Sequence, residues 1–118
     1  MKVKVPQKIK ILTHTYNIRI DSKFTMGAGA QGITRHIYQE IILDGIQPKS
    51  ELDQVFLHEL IHTIERHFCV KLDDPDVERI SEGLAIILFD NLGIELDWSD
   101  VEGLDQRDSD QRRVGTAS

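Results

Sequence analysis

The stretch from residue 51 to 69 constrains this chain more than any other, because Phe56, Leu57, Leu60, Ile61, Ile64 and Phe68 recur at helical spacing. Separations of three and four put such residues on one stripe of an α-helix, a pattern that a strand of period two does not produce. Ser50 stands where an N-cap belongs, and Glu51 and Asp53 place acid in the first turn, where the helix dipole favours it. A helix over roughly 51–69 follows, and its stripe must be buried against another element.

A second stripe begins after Asp74, read as an N-cap with Pro75 at the first helical position. It runs through Val77, Ile80, Leu84, Ile87, Leu88 and Leu92 and closes at Gly93. The chain from Lys8 to Asp44 has a different period. In Thr13–Ile20 and Gln39–Leu43, β-branched and aromatic residues alternate with polar ones, which predicts strands. Met26–Gly32 reads as a glycine-rich loop without the lysine and spacing of a phosphate-binding loop. Gly32 to Ile37 and Tyr38 to Asp44 are expected to pair as a hairpin, and Asp44-Gly45-Ile46-Gln47-Pro48 to end the sheet. The expected fold class is α+β: a small antiparallel sheet of three to four strands, followed by two helices packed on each other and on one face of it. Residues 1–98 form the single domain, and 99–118, polar and without period, a tail.

With 118 residues, 40% hydrophobic and 29% charged, the composition is that of one ordinary globular domain, able to bury about two thirds of its unfolded surface. A net charge of -6 argues against nucleic acid as a partner, since phosphate neutralisation needs clustered Lys and Arg. The lysines among the first ten residues alternate with apolar residues, as in Lys2-Val3-Lys4-Val5, and make neither a secretory signal nor a membrane segment; a cytoplasmic location is the expectation. The lone Cys69 cannot close an intrachain disulfide and reads as a small buried hydrophobe.

His58-Glu59-Leu60-Ile61-His62 lies on the first helix. Histidines at i and i+4 are one turn apart and about 40° apart around the axis, so both rings can reach one ion. Glu59 projects about 100° further round, beside the ion, where its carboxylate can take a proton from an attacking water. A catalytic zinc takes three protein ligands and keeps one position open. A longer motif that ends in a third histidine needs Gly at 65 and His at 68; the chain has Glu65 and Phe68. The second helix offers Glu78 and Glu82, two carboxylates at i and i+4 on one face. Glu78 is assigned as the third ligand and Glu82 as the acceptor that orients a ligating histidine, with the exchange of these roles left open; Glu65 is a weaker candidate for the orienting role. For an oxyanion-stabilising side chain, Tyr38, His36, His67 and Arg79 remain alternatives.

His-Glu-Leu-Ile-His, followed on the next helix by Glu-Arg-x-x-x-Gly-Leu-Ala, resembles the gluzincin metallopeptidases, especially minimal single-domain ones. It is similar to the ImmA/IrrE type of phage and bacterial proteins. The resemblance spans roughly Gly32 to Asn91. It implies one Zn2+ per chain held by His58, His62 and Glu78, hydrolysis of a peptide bond in a peptide or protein substrate, and an extended substrate laid on an edge strand, here Gly32 to Ile37. It also implies a role in phage or mobile-element regulation. Gluzincins often carry Asp where this chain has Glu82. Two alternatives stand beside an active endopeptidase. One is a latent form whose segment Ser99–Ser118 enters the cleft through Asp100, Glu102 or Asp105. The other is a non-catalytic zinc-binding domain that binds a partner by its sheet edge. The oligomeric state is not written in the sequence.

Overall fold

A computed structural model describes residues 1–101 and 103. In chain order the elements are β1 (Lys2–Lys4), β2 (Lys8–Ile11), β3 (His14–Ile20), α1 (Ser22–Ala28), β4 (Gly32–Arg35), β5 (Glu40–Leu43), α2 (Lys49–Phe68), α3 (Asp74–Ala85), a π-helical turn (Ile86–Asn91) and β6 (Glu95–Asp97). The fold is α+β, with a four-stranded sheet ordered β2-β3-β5-β4 and a separate two-stranded sheet of β1 and β6.

The alternation along β3 turns Tyr16, Ile18 and Ile20 into the core while Thr15 and Asn17 stay exposed. β4 and β5 form the expected hairpin, in register from Arg35↔Glu40 to Gly32↔Leu43. The sheet is mixed, however, not antiparallel: β3 and β5 run parallel, Asn17↔Glu40 through Ile20↔Leu43. Parallel strands need a crossover. The crossover is supplied by α1 and β4, because the segment read as a glycine-rich loop begins as a helix. Asp21 caps it, accepting the Phe24 N–H at 3.1 Å, and Gly29 ends it at a φ of 69°.

α2 starts one residue ahead of the predicted cap: Pro48 precedes it with no side-chain cap, and Ser50 lies inside the first turn. α3 follows Asp73, not Asp74, and Pro75 sits in its first turn. α2 packs on β2, β4 and β5, whereas α3 packs on α2. It does so through Val77 and Ser81, one turn apart and both buried. That docking face is one edge of the predicted stripe, so Ile80, Leu84, Ile87 and Leu92 remain exposed rather than buried, as do Ile64 and Phe68 of α2. Cys69, expected inside, is exposed and ends α2 at a φ of 56°.

The core joins β3 and β5 to Leu52 and Phe56 of α2 and to Val5, Trp98 and Val101. The Phe56 and Trp98 rings meet edge-on at 5.0 Å, a geometry worth about 0.5–1.5 kcal/mol beyond buried area. The Trp98 indole N–H donates to the buried Asp53 carboxylate at 2.7 Å, and Lys49 pairs with the other Asp53 oxygen at 2.8 Å. Burial of Val101 carries the packed body past residue 98, while residues 102 and 104–118, most of the expected tail, lie outside the described residues. Among the described residues no helix is long and apolar enough to cross a membrane.

Candidate metal centre

α2 presents His58 and His62 one turn apart, their ring centroids 4.8 Å from each other. α3 brings Glu78 to His58, with Oε2 2.9 Å from Nδ1, and the Gln54 side-chain amide donates to the other Glu78 oxygen at 3.1 Å. His62 turns Nδ1 to Glu65, 2.8 Å from Oε1, while the Leu72 backbone N–H donates to Oε2 at 3.0 Å. That backbone donor first, and His62 after it, hold the Glu65 carboxyl below its usual range. With Nδ1 engaged, Nε2 is the His62 nitrogen left to ligate.

The donor set suits zinc in kind: two imidazoles and a carboxylate, with one imidazole oriented by a further carboxylate, as metal-binding histidines usually are. Among the described residues, no three His, Cys, Asp or Glu side chains converge as a closed cluster. Two pairings account for this: His58 hydrogen-bonds Glu78 directly, and His62 faces Glu65. Two donors bound to one tetrahedral ion at about 2.0–2.1 Å sit about 3.3 Å apart. The 2.9 Å His58–Glu78 contact is a few tenths of an ångström from that separation.

Glu59 is 6% exposed, the most buried carboxylate side chain of the site. Its Oε1 accepts the Thr34 hydroxyl at 2.7 Å from β4. Glu59 lines a cleft of about 170 Å³ together with His58, Glu78, Gly32, Gln54 and Glu51. Gly32 is there because a Cβ would stand 2.5 Å from Val55 Cγ1 and 3.2 Å from Glu59 Cγ. From the sequence, Gly32 and Thr34 belong to the site only as part of the substrate-pairing strand Gly32 to Ile37, and Gln54 has no place in it. Alternation puts 32 and 34 on one face of a strand, but no local signal says which residues of α2 that face meets.

Glu82 lies elsewhere. It is exposed on the wall of a second cleft with Asp53, Phe89 and Ile94, and the carboxylate that faces His62 Nδ1 is Glu65. The cause is the direction of α3: Glu78 is level with Gln54 and His58, and the next turn, about 6 Å along the axis, moves toward the start of α2 and away from His62. The oxyanion candidates are engaged as well. His36 Nδ1 and His67 Nε2 lie 3.0 and 2.8 Å from the Tyr16 hydroxyl, Tyr38 stacks under Arg35 at 4.0 Å, and Arg79 pairs with Asp76 at 2.8 Å. Asp100, one carboxylate of the latent reading, pairs with Lys4 at 3.7 Å; Glu102 and Asp105 fall outside the described residues.

Compared with protein-family models, curated proteins and solved structures, the chain matches none of them.

Proposed function

We propose that this chain is a zinc-dependent endopeptidase in which His58, His62 and Glu78 hold the ion and Glu59 is the general base. The observation that carries the reading is the buried Glu59 carboxylate, tied at one oxygen and lining the same cleft as His58 and Glu78. The resemblance of the two helices to gluzincins supports it. Zinc held by these residues supplies a Lewis acid that polarises a peptide carbonyl and acidifies water. Glu59 takes the proton of the attacking water at its untied oxygen and returns it to the leaving amine, a role worth about 10²–10⁴-fold in rate. Glu65 keeps the His62 ring in place. β4 is an edge strand, so its main-chain groups are available to pair with an extended substrate.

The test is elemental analysis coupled to hydrolysis of a peptide library. Wild type is expected to carry a single zinc per chain, Glu78→Ala to lose it, and Glu82→Ala to keep it. Glu59→Gln should keep zinc and lose hydrolysis. Wild type without metal sinks the proposal.

The non-catalytic alternative draws on the direct pairings His58–Glu78 and His62–Glu65, which also complete a polar cluster without any ion. Stability that collapses on chelation, with no peptide cleaved, selects the non-catalytic zinc-binding domain, and unfolding indifferent to chelators selects a site that holds no metal.

A further inference from the structure

β4 meets α2 at Glu59 itself. Gly32 and Thr34 share one face of the strand, and that face is turned to the helix: a Cβ on Gly32 would touch Glu59 Cγ at 3.2 Å, and the Thr34 hydroxyl lies 2.7 Å from Glu59 Oε1. The hydroxyl has one proton and two acceptors in reach, Oε1 and the Glu59 carbonyl at 3.4 Å. The shorter contact to the charged acceptor takes it. Branching at Cβ restricts the rotamers of Thr34, so the backbone of β4 sets where the hydroxyl points. A carboxylate as buried as Glu59 needs such a partner, and Oε2, which takes no hydrogen bond from the described residues, is the oxygen left for the cleft.

We infer that Thr34 is a positioning residue for Glu59: it ties Oε1 to the edge strand and so fixes the direction in which Oε2 meets a substrate. The inference rests on Glu59 being the general base. It makes β4 a two-sided element, whose open edge sets the register of an extended substrate while its inner face sets the base. Substrate and base are then referenced to one backbone.

Thr34→Val keeps the shape and removes the donor, and Thr34→Ser keeps the donor. In hydrolysis by the zinc-loaded protein, Thr34→Val is expected to lower kcat about tenfold or more while KM stays within about twofold, since a misplaced base slows the step without changing strand pairing. Thr34→Ser should recover most of kcat, and Thr34→Val should add nothing in a Glu59→Ala background. Thermal unfolding supplies a readout independent of activity: Thr34→Val should lower Tm by about 4–8 °C in wild type and much less in Glu59→Ala. Hydrolysis by wild type with Thr34→Val unchanged in kcat, or changed only in KM, overturns the role of Thr34 and leaves the endopeptidase reading intact. A wild type that binds no zinc and cleaves nothing overturns both, and coupling in unfolding would then mark the Thr34–Glu59 contact as structural only.

Discussion

Glu65 is bound on both oxygens, one to His62 Nδ1 at 2.8 Å and the other to the backbone N–H of Leu72 at 3.0 Å. The loop after α2 thereby holds a histidine of the candidate metal centre through one carboxylate. Removing a carboxylate that orients a ligating histidine costs about 10–100-fold in metal affinity. Glu65→Ala is expected to weaken zinc binding in that range, and Glu82→Ala, which orients neither histidine, to leave it unchanged. Competitive zinc titration against a chelator measures both. Equal losses would return the orienting role to Glu82.

Gly32 is the close approach between β4 and α2. Its absent Cβ would stand 2.5 Å from Val55 Cγ1 and 3.2 Å from both Glu59 Cγ and Leu43 Cδ2. Gly32→Ala should therefore destabilise by about 1–3 kcal/mol through overpacking. Because the closest atom is the tip of a valine, Val55→Ala should relieve part of it, so that the double variant unfolds at a lower cost than the sum of the singles in urea titrations. Strict additivity would show that β4 and α2 are not in contact here.

α2 and the β4–β5 hairpin were legible in the sequence because each rests on local periodicity. α1 was not, since its seven residues expose Phe24 and Met26 and bury only Ser22 and Thr25, leaving no apolar stripe to read. Its caps, Asp21 and Gly29, were the available signal. The parallel pairing of β3 with β5 is a long-range choice that no window of residues contains. Helix spacing puts Glu78 and Glu82 on one face but says nothing of how far α3 slides along α2, and that displacement separates them. The exposed Ile80, Leu84 and Ile87 have the same origin: α3 docks by Val77 and Ser81, at the edge of its stripe.

The Tyr16 hydroxyl bridges His36 and His67, and the His67 ring stacks on His14 at 4.3 Å, which Gln39 holds from the other side at 2.9 Å. Burial first, then Arg66 and neighbouring histidines, lowers His36 below its ordinary 6.5, with Glu65 opposing; burial and His14 lower His67. A base lowered in the folded state takes up its proton later than the unfolded chain does. Stability should therefore hold above about pH 7, decline as pH falls through 6.5, and level off below the folded-state values. Urea midpoints across that range measure it. Carboxylates held low, Glu65 and Asp21, act in a separate window below their ordinary 4.5 and 3.8, where acid removes their contribution. His36→Gln should flatten the upper window and spare the lower one; an unchanged upper window would mean that the cluster does not titrate with unfolding.

Gly103 tests how firmly the chain after Trp98 is docked. Its φ is 97°, and a Cβ there would fall 1.9 Å from the Ile20 carbonyl oxygen, a backbone atom of β3 that cannot swing aside as a side chain can. Val101, two residues earlier, is buried in the core and donates its N–H to the Trp98 carbonyl at 3.0 Å. Gly93 is the control: its φ is 69°, but nothing lies within 4 Å of its missing Cβ. Gly93→Ala should cost only the left-handed backbone penalty, about 1–2 kcal/mol. Gly103→Ala adds a backbone clash and should cost more than that, either lowering Tm well beyond the control or releasing Val101 from the core. Equal Tm shifts for the two variants would show that residue 103 is not held against Ile20, and that the packed body ends nearer Trp98.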